Sequence, residues 1–280
     1  METAVQHSWG RGLSVSVVVY RPDVAQLHRT LSSLSEAIAA TRACRPDFPA
    51  ELYLIDNGGL PDISATRAAL EAQRIDCHVV SGHGNVGYGR GHNLAIERTT
   101  EWCHLILNPD VDLAPDSLVR LLDFLGVHPD VGLITPRIGD ENDQIQYLCR
   151  RYPSVFDLFV RGFLPTRWSS LFARRLARYE MRDQINERDV VWDPQIVSGC
   201  FMLFRTNVLK ALGGFDPRYF LYFEDYDLSM RTHAAARVVY LPAARVLHFG
   251  GGASRKGHAH IKMFVASAFR FFNRFGWKWL

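Results

Sequence analysis

The chain has 280 residues, 48% of them apolar and 22% charged, with a formal net charge of +3. That length suits one large domain or two small ones around a sizeable core. So small a charge excludes a protein built to neutralise a nucleic-acid backbone, so no nucleic-acid partner is expected. The cysteines, Cys44, Cys77, Cys103, Cys149 and Cys200, are scattered and never form a C-x-x-C pair. This argues against a disulfide framework or a zinc site and for a reducing cytoplasm. Met1 to Gly12 lacks the basic start and apolar run of a secretory leader. No stretch approaches the ~18 apolar residues of a membrane span.

Leu13 to Tyr20 is short, β-branched and nearly all apolar, and predicts a buried strand. Pro22 then opens a helix with apolar residues at Leu27, Leu31, Leu34 and Ile38. Glu51 to Ile55 is a second strand, ended by Asp56-Asn57-Gly58-Gly59, with a helix from about Asp62 to Arg74 and a third strand at Cys77 to Val80. The glycine-rich Ser81 to Gly91 leads into a helix through Ile96, and His104 to Leu107 is a fourth strand. Asp116 to Leu125 reads as a helix and Val131 to Thr135 as another strand. This alternation predicts an α/β fold with a mostly parallel sheet covered on both faces. Ligands bind such sheets beyond the carboxyl ends of the strands, where Asp56, the glycine-rich loop and Asn108 to Asp112 all fall. From Gly139 to Asp193 the pattern weakens into a segment rich in arginine and aromatic residues, which reads as an inserted lid or a helical excursion. Order returns with a strand within Val197 to Arg205, a helix at Asn207 to Leu212, the turn Gly213-Gly214, the stretch Tyr219 to Arg231, and a last short strand at Val238 to Leu241 before His248.

Five segments carry candidate chemistry. In Asn108-Pro109-Asp110-Val111-Asp112, two carboxylates spaced two apart share one face if the chain is extended. Such a pair suits Mg²⁺ or Mn²⁺ beside phosphate oxygens, and equally suits a solvated turn. Phe223-Glu224-Asp225-Tyr226-Asp227 crowds three carboxylates among aromatics. Crowding raises a carboxyl pKa and favours general-base work, although an acidic helix start paired with Arg231 would look the same. Gly82-His83-Gly84-Asn85-Val86-Gly87 matches G-x-G-x-x-G and continues through Tyr88 to Asn93, bringing backbone amides close to a nucleotide or sugar. His248 precedes a run of glycines and then Ser254-Arg255-Lys256, a set able to complete a metal site and cradle phosphate. The tail from His260 to Leu280 interleaves aromatic and basic residues, as an interfacial helix on an anionic bilayer does, or as a helix packing back on the domain does.

Taken in order, VVVY, IDNG, GNVGYGRGHN, NPDVDL, VSGCFMLFR, GGFD, FEDYDLSMR and the late histidine resemble family 2 glycosyltransferases of the GT-A fold, over about Ser14 to Phe275. The bacterial rhamnosyltransferase-like enzymes of cell-surface polysaccharide (O-antigen) assembly are the most similar subgroup. The resemblance implies a GT-A (Rossmann-like) catalytic domain over 1–257. Its nucleotide-sugar half would span about 13–135 and its acceptor half about 136–257, with an amphipathic helix at 258–280. It implies that Asp56 reads a pyrimidine base, and that Tyr20, Asn85, Gly87, Asn93 and Asp110 line the nucleotide-sugar. Ser254, Arg255 and Lys256 would assist at the diphosphate. Asp110, Asp112 and His248 would hold Mn²⁺ or Mg²⁺, and Asp225 would be the catalytic base. Gly199, Glu224 and Asp227 would face the acceptor. The expected reaction is inverting transfer of a sugar, first choice L-rhamnose from dTDP-L-rhamnose and second a UDP-sugar, to a saccharide carried on a lipid. The protein would then sit in the cytoplasm, peripheral on the inner membrane. Arg21 departs from the Asn that many relatives carry there.

Other classes remain to be weighed. An NAD(P)-dependent oxidoreductase would use the G-x-G-x-x-G loop with Asp110 near the ribose-binding spacing, which leaves Asp112 and His248 unexplained. A non-catalytic sugar-binding module would be expected to lack these carboxylates, and a membrane-bound scaffold subunit would rest on the tail alone.

Overall fold

The computed structural model describes residues 12–165, 170–250 and 257–280. Met1 to Arg11 lie outside them, as do Arg167 and the Ser254-Arg255-Lys256 run.

The strands are β1 (Leu13–Tyr20), β2 (Ala50–Gly58), β3 (Ile75–Val80), β4 (Cys103–Leu107), β5 (Val111–Leu113), β6 (Val131–Gly139), β7 (Val191–Trp192), β8 (Phe201–Arg205) and β9 (Arg237–His248). They form one continuous sheet in the order β3-β2-β1-β4-β8-β6-β9-β5, with β7 also on β9. β1 to β4, β6 and β9 run one way, while β5, β7 and β8 run the other. The mostly parallel α/β sheet expected from the alternation is therefore present, with three antiparallel strands that alternation alone does not reveal. All six co-directional strands deliver their carboxyl ends to one edge.

The helices are α1 (Val24–Cys44), α2 (Ser64–Ala72), α3 (Tyr88–Ile96), α4 (Ser117–Val127), α5 (Val155–Phe163), α6 (Ala173–Tyr179), α7 (Thr206–Ala211), α8 (Glu224–Thr232) and α9 (Gly257–Phe275). Asp23 caps α1 by accepting from the Gln26 N–H at 3.0 Å, so Pro22 precedes the helix and does not open it. Leu27, Leu31 and Leu34 of α1 and Leu118, Leu121 and Leu125 of α4 pack with Val15, Val17, Leu52 and Leu105 on one sheet face. Ile96 of α3, Leu209 of α7 and Leu228 of α8 pack with Ile106, Met202 and Phe204 on the other.

One boundary differs instructively from expectation. β9 continues seven residues past Leu241, because the sheet absorbs Pro242 at a bulge: pairing with β6 breaks between Pro136 and Arg137 and resumes at Arg137↔Arg245. The arginine-rich segment, expected as a lid or a helical excursion, contains among its described residues α5, a 3₁₀ turn and α6, anchored by bridges Gly139↔Ile145 and Arg150↔Ile196.

α9 packs back on the domain. Phe271 and Phe272 are buried with Tyr219, Phe223 and Tyr179. Ser267 Oγ donates to the Leu221 carbonyl at 2.9 Å, and Tyr222 Oη lies 2.9 Å from His260 Nδ1. Arg274 reaches Asp227 at 2.8 Å, and Arg231 reaches the other oxygen of the same carboxylate at 2.6 Å. Asp227 is fully buried by this pairing, so it does not face an acceptor as expected; it locks α9 to α8. Replacing one member of a buried ion pair strands the other charge. Asp227→Ala should therefore cost about 3–5 kcal/mol in urea unfolding; a loss below about 1 kcal/mol, the exposed-pair range, would refute this role.

Candidate active site

The first cluster forms where β4 ends. Asn108 N–H donates to the Cys200 carbonyl at 2.9 Å, and Pro109-Asp110 turns the chain into β5. β5 pairs with the end of β9, Val111 opposite His248, and Phe249 N–H donates to the Asp110 carbonyl at 2.9 Å. This pairing sets Asp110 Oδ1 3.5 Å from His248 Nε2. Asp110 Oδ1 is buried without a hydrogen-bond partner. His248 Nδ1 lies 2.9 Å from Gln146 Oε1, and Gln146 Nε2 donates to the His248 carbonyl at 2.8 Å. Burial pushes the imidazole below its usual pKa, against the opposing pull of the Asp110 charge. A Cβ on Gly250 would fall 2.4 Å from Asp110 Oδ2 and 2.6 Å from His248 Nε2, so only glycine leaves this gap open.

The expected three-ligand metal site is not assembled. Because Asp110 sits in the turn and Asp112 in β5, the two carboxylates have separate partners. Asp112 Oδ2 accepts from Arg29 at 2.9 Å, and that guanidinium stacks 4.5 Å over the Phe249 ring. Among the described residues no group of three or more His, Cys, Asp or Glu is gathered at ligating distance. What remains fits a divalent cation in kind: an unpartnered buried carboxylate oxygen facing an imidazole nitrogen, a hard and a borderline donor.

The second cluster is the start of α8. Tyr222 and Phe223 precede it with φ of 70° and 65°, a left-handed pair that is costly for aromatic residues. Asp225 Oδ2 accepts from Gly199 N–H at 3.0 Å and Oδ1 from Tyr226 N–H at 2.9 Å. Tyr88 Oη donates to the Gly199 carbonyl at 2.6 Å, and a Cβ on Gly199 would press within 3.3 Å of both Asp225 and Tyr88. Glu224 is buried with Oε2 unpartnered. Burial raises the pKa of both carboxyls; the neighbouring Asp225 charge raises Glu224 further, while the Gly199 and Tyr226 N–H groups and Arg150 pull Asp225 back. Asp225 is therefore the member of the pair that ionises first.

The glycine-rich loop joins these clusters. Gly87 has φ 90°, and a Cβ there would lie 2.4 Å from the Phe220 carbonyl. That carbonyl accepts from Tyr88 N–H at 3.1 Å, tying the loop to the segment before α8. Asn85 Oδ1 accepts from Gly87 N–H at 3.0 Å, so its side chain shapes the turn. Asn93, expected beside the nucleotide-sugar, is instead consumed by the Phe215 backbone, donating at 2.8 Å and accepting at 2.9 Å. Asp56 ends β2 with Oδ1 accepting from Gly58 and Leu60 N–H at 2.9 and 3.2 Å, and Tyr20 is exposed at the end of β1. Sequence reasoning missed Gln146, Arg29, Tyr88 and Arg150. None sits in a recognisable motif except Tyr88, whose place in the loop was visible but whose contact with Gly199 was not.

The glycosyltransferase-like family 2 model matches residues 12–264. An N-acetylglucosaminyl-diphospho-decaprenol L-rhamnosyltransferase of Mycobacterium tuberculosis is 32% identical over 84% of this chain and 75% of its own. The rhamnosyltransferase WbbL of Escherichia coli K12 is 25% identical over 68% of each chain. Among solved structures, GalNAc-T7 with UDP, GalNAc and Mn²⁺ superposes with a TM-score of 0.59 at 15% identity, covering 85% of this chain and 43% of that one. Staphylococcus aureus TarS 1–349 with UDP superposes with a TM-score of 0.54 at 14% identity, covering 94% and 72%. A sheet of this topology, with polar groups gathered at its carboxyl edge, is the GT-A architecture of a sugar-transferring enzyme. The chain belongs to glycosyltransferase family 2, among rhamnosyltransferase-like members. The oxidoreductase, sugar-binding-module and scaffold readings are thereby set aside.

The order of ionisation in the Glu224–Asp225 pair has a measurable consequence. Glu224 is raised from its ordinary 4.5 to about 8, so the folded state holds a proton that the unfolded state has lost across that interval. Stability contributed by this proton is full below about pH 4.5 and declines as pH rises toward 8. Glu224→Gln should flatten this decline in thermal unfolding. It should also keep turnover within about tenfold of wild type, since the amide mimics the protonated acid. An unchanged pH slope would contradict the assignment.

Proposed function

We propose that the protein moves L-rhamnose from dTDP-L-rhamnose to N-acetylglucosamine carried on a lipid diphosphate, with inversion at the anomeric carbon. The two rhamnosyltransferase relatives support the sugar, and the lipid-linked N-acetylglucosamine in the name of the mycobacterial enzyme supports the acceptor. A UDP-sugar is the second donor reading, supported by the UDP complexes among the structural neighbours. The observation that carries the reading is the division of labour among acidic groups: Asp225 is fixed by Gly199 N–H, while Asp110 faces His248 in a separate cluster.

Asp225 accepts the proton of the acceptor hydroxyl as that oxygen forms its bond to the anomeric carbon. The bond between that carbon and the diphosphate oxygen breaks, and its electron pair leaves with the nucleotide diphosphate. The Gly199 and Tyr226 N–H groups hold the Asp225 carboxylate during this transfer, and Tyr88 fixes Gly199. Glu224 stays protonated beside it on the acceptor side. Asp110 and His248 would hold Mn²⁺ or Mg²⁺, and Asp112 joins them only when Arg29 releases it. Such an ion, when bound, supplies positive charge for the departing diphosphate. Asp56 is assigned to the pyrimidine, and Tyr20 and the Asn85–Gly87 loop to the nucleotide-sugar. Ser254, Arg255 and Lys256 are assigned to the diphosphate.

A lipid-borne acceptor calls for a membrane-facing surface, and α9 offers one. Its inner face is buried, while Ile261, Val265 and Phe269 form an exposed stripe at i, i+4, i+8, continued by Trp277 and Trp279. Residues 257–280 contain no Asp or Glu but include Lys262, Arg270, Arg274 and Lys278. Among the described residues no helix is long and apolar enough to cross a membrane. An amphipathic helix lying on an anionic surface fits these features.

Asp225→Asn should keep dTDP-L-rhamnose affinity, measured by calorimetry, while turnover on a polyprenyl-diphosphate N-acetylglucosamine acceptor falls about 10²–10⁴-fold; near-normal turnover would sink the base assignment. The wild type should co-sediment with vesicles containing phosphatidylglycerol and less with pure phosphatidylcholine. Val265→Ser/Phe269→Ser should remove the difference, and equal binding by both proteins would refute the α9 surface.

A further inference from the structure

We propose that Gln146 is a positioning residue that fixes the tautomer of His248, leaving Nε2 as the bare nitrogen that faces Asp110. The inference rests on the reading of Asp110 and His248 as a metal pair, and adds to it a residue from the segment that carries no recognisable motif.

The geometry of the carboxamide settles the hydrogen. Gln146 makes two contacts with one residue: 2.8 Å from Nε2 to the His248 carbonyl and 2.9 Å from Oε1 to His248 Nδ1. A carbonyl oxygen only accepts, so the amide NH₂ must be the end that meets it. The other end, Oε1, then meets Nδ1, and an amide oxygen also only accepts. Nδ1 must therefore carry the hydrogen. Swapping the amide ends would place two acceptors against each other at the His248 carbonyl, so that contact fixes the orientation and the tautomer follows from it.

This choice has a consequence on the far side of the ring. A neutral imidazole carries one N–H, so hydrogen on Nδ1 leaves a lone pair on Nε2. In water the neutral ring favours the opposite form, with hydrogen on Nε2. Here Nε2 lies 3.5 Å from Asp110 Oδ1, which is itself buried and unpartnered. A lone pair facing an orphan carboxylate oxygen is unfavourable unless a positive charge comes between them, and Gly250 leaves the gap open from above. Orientation of a ligating histidine through its second nitrogen is a general device of metal sites.

Gln146 is itself held in place. Its N–H donates to the Ile138 carbonyl at 2.9 Å, and the adjacent Ile145 bridges to Gly139 at the end of β6. Since β6 and β9 pair as far as Gly139↔Leu247, the segment tied back to the end of β6 holds the amide beside His248. The arginine-rich excursion thus begins with a residue that serves the site and is not only an appended lid.

The test uses the full-length protein labelled with ¹⁵N-histidine, without metal, and reads the His248 ring nitrogens by NMR. Wild type is expected in the Nδ1–H form. Gln146→Leu should move His248 toward Nε2–H and weaken Mn²⁺ binding in the presence of dTDP about 10–100-fold. Gln146→Glu keeps an acceptor for Nδ1–H and should retain the wild-type tautomer, which separates positioning from loss of fold. An Nε2–H wild type, or unchanged Mn²⁺ affinity in Gln146→Leu, would overturn the proposal. A wild type in the Nδ1–H form that binds no Mn²⁺ would overturn the metal pair while leaving the tautomer assignment standing.

Discussion

β9 pairs with β6 along one side and with β5 along the other, and most of the candidate site hangs on that double pairing. Without β5 across from it, Asp110 would be a carboxylate in a surface turn. Without β6 beside it, His248 would lack the Gln146 amide. The bulge at Pro136/Arg137 lets β9 run on to His248 at the carboxyl edge. The sheet thereby places the buried, unpartnered Asp110 Oδ1 3.5 Å from His248 Nε2.

The second half of the site is held by a different device. Two left-handed aromatics, Tyr222 and Phe223, turn the chain into α8, and that strain is countered by packing from α9 and by the Tyr88–Phe220 backbone bond. α9 also reaches into α8 through Arg274 and Asp227, two residues beyond the proposed base. The same helix that exposes Ile261, Val265 and Phe269 therefore braces the helix that carries the proposed base. The proposed lipid-facing surface and the proposed base are thus linked through one set of contacts.

The fold was largely legible because buried parallel strands write themselves as short β-branched runs between amphipathic helices; β1, β2 and β4 were read in this way within a few residues. β5 was invisible, since three residues carry no periodicity, and the full reach of β9 was hidden by Pro242. At the site, Asp110, Asp225 and His248 were proposed from residue type and order, and Asp110 and His248 are brought within 3.5 Å of each other. Asp112 does not share a face with Asp110, because that argument assumes an extended chain and Pro109-Asp110 is a turn. Asn93 and Asp227 were assigned to ligands from their motifs, but each is spent on structure, one on the Phe215 backbone and the other on Arg231 and Arg274. Gln146 and Arg29 could not be found from sequence, because a lone glutamine or arginine acquires meaning only from the group it touches.

The central claim is that the gap between Asp110 and His248 receives the cation that accompanies a donor diphosphate. Anomalous diffraction from crystals grown with dTDP and Mn²⁺ tests it most directly. The account predicts a single manganese peak contacting Asp110 and His248 Nε2 with the diphosphate against it. A nucleotide bound with no metal there, or a peak seated on Asp112 away from His248, would contradict it.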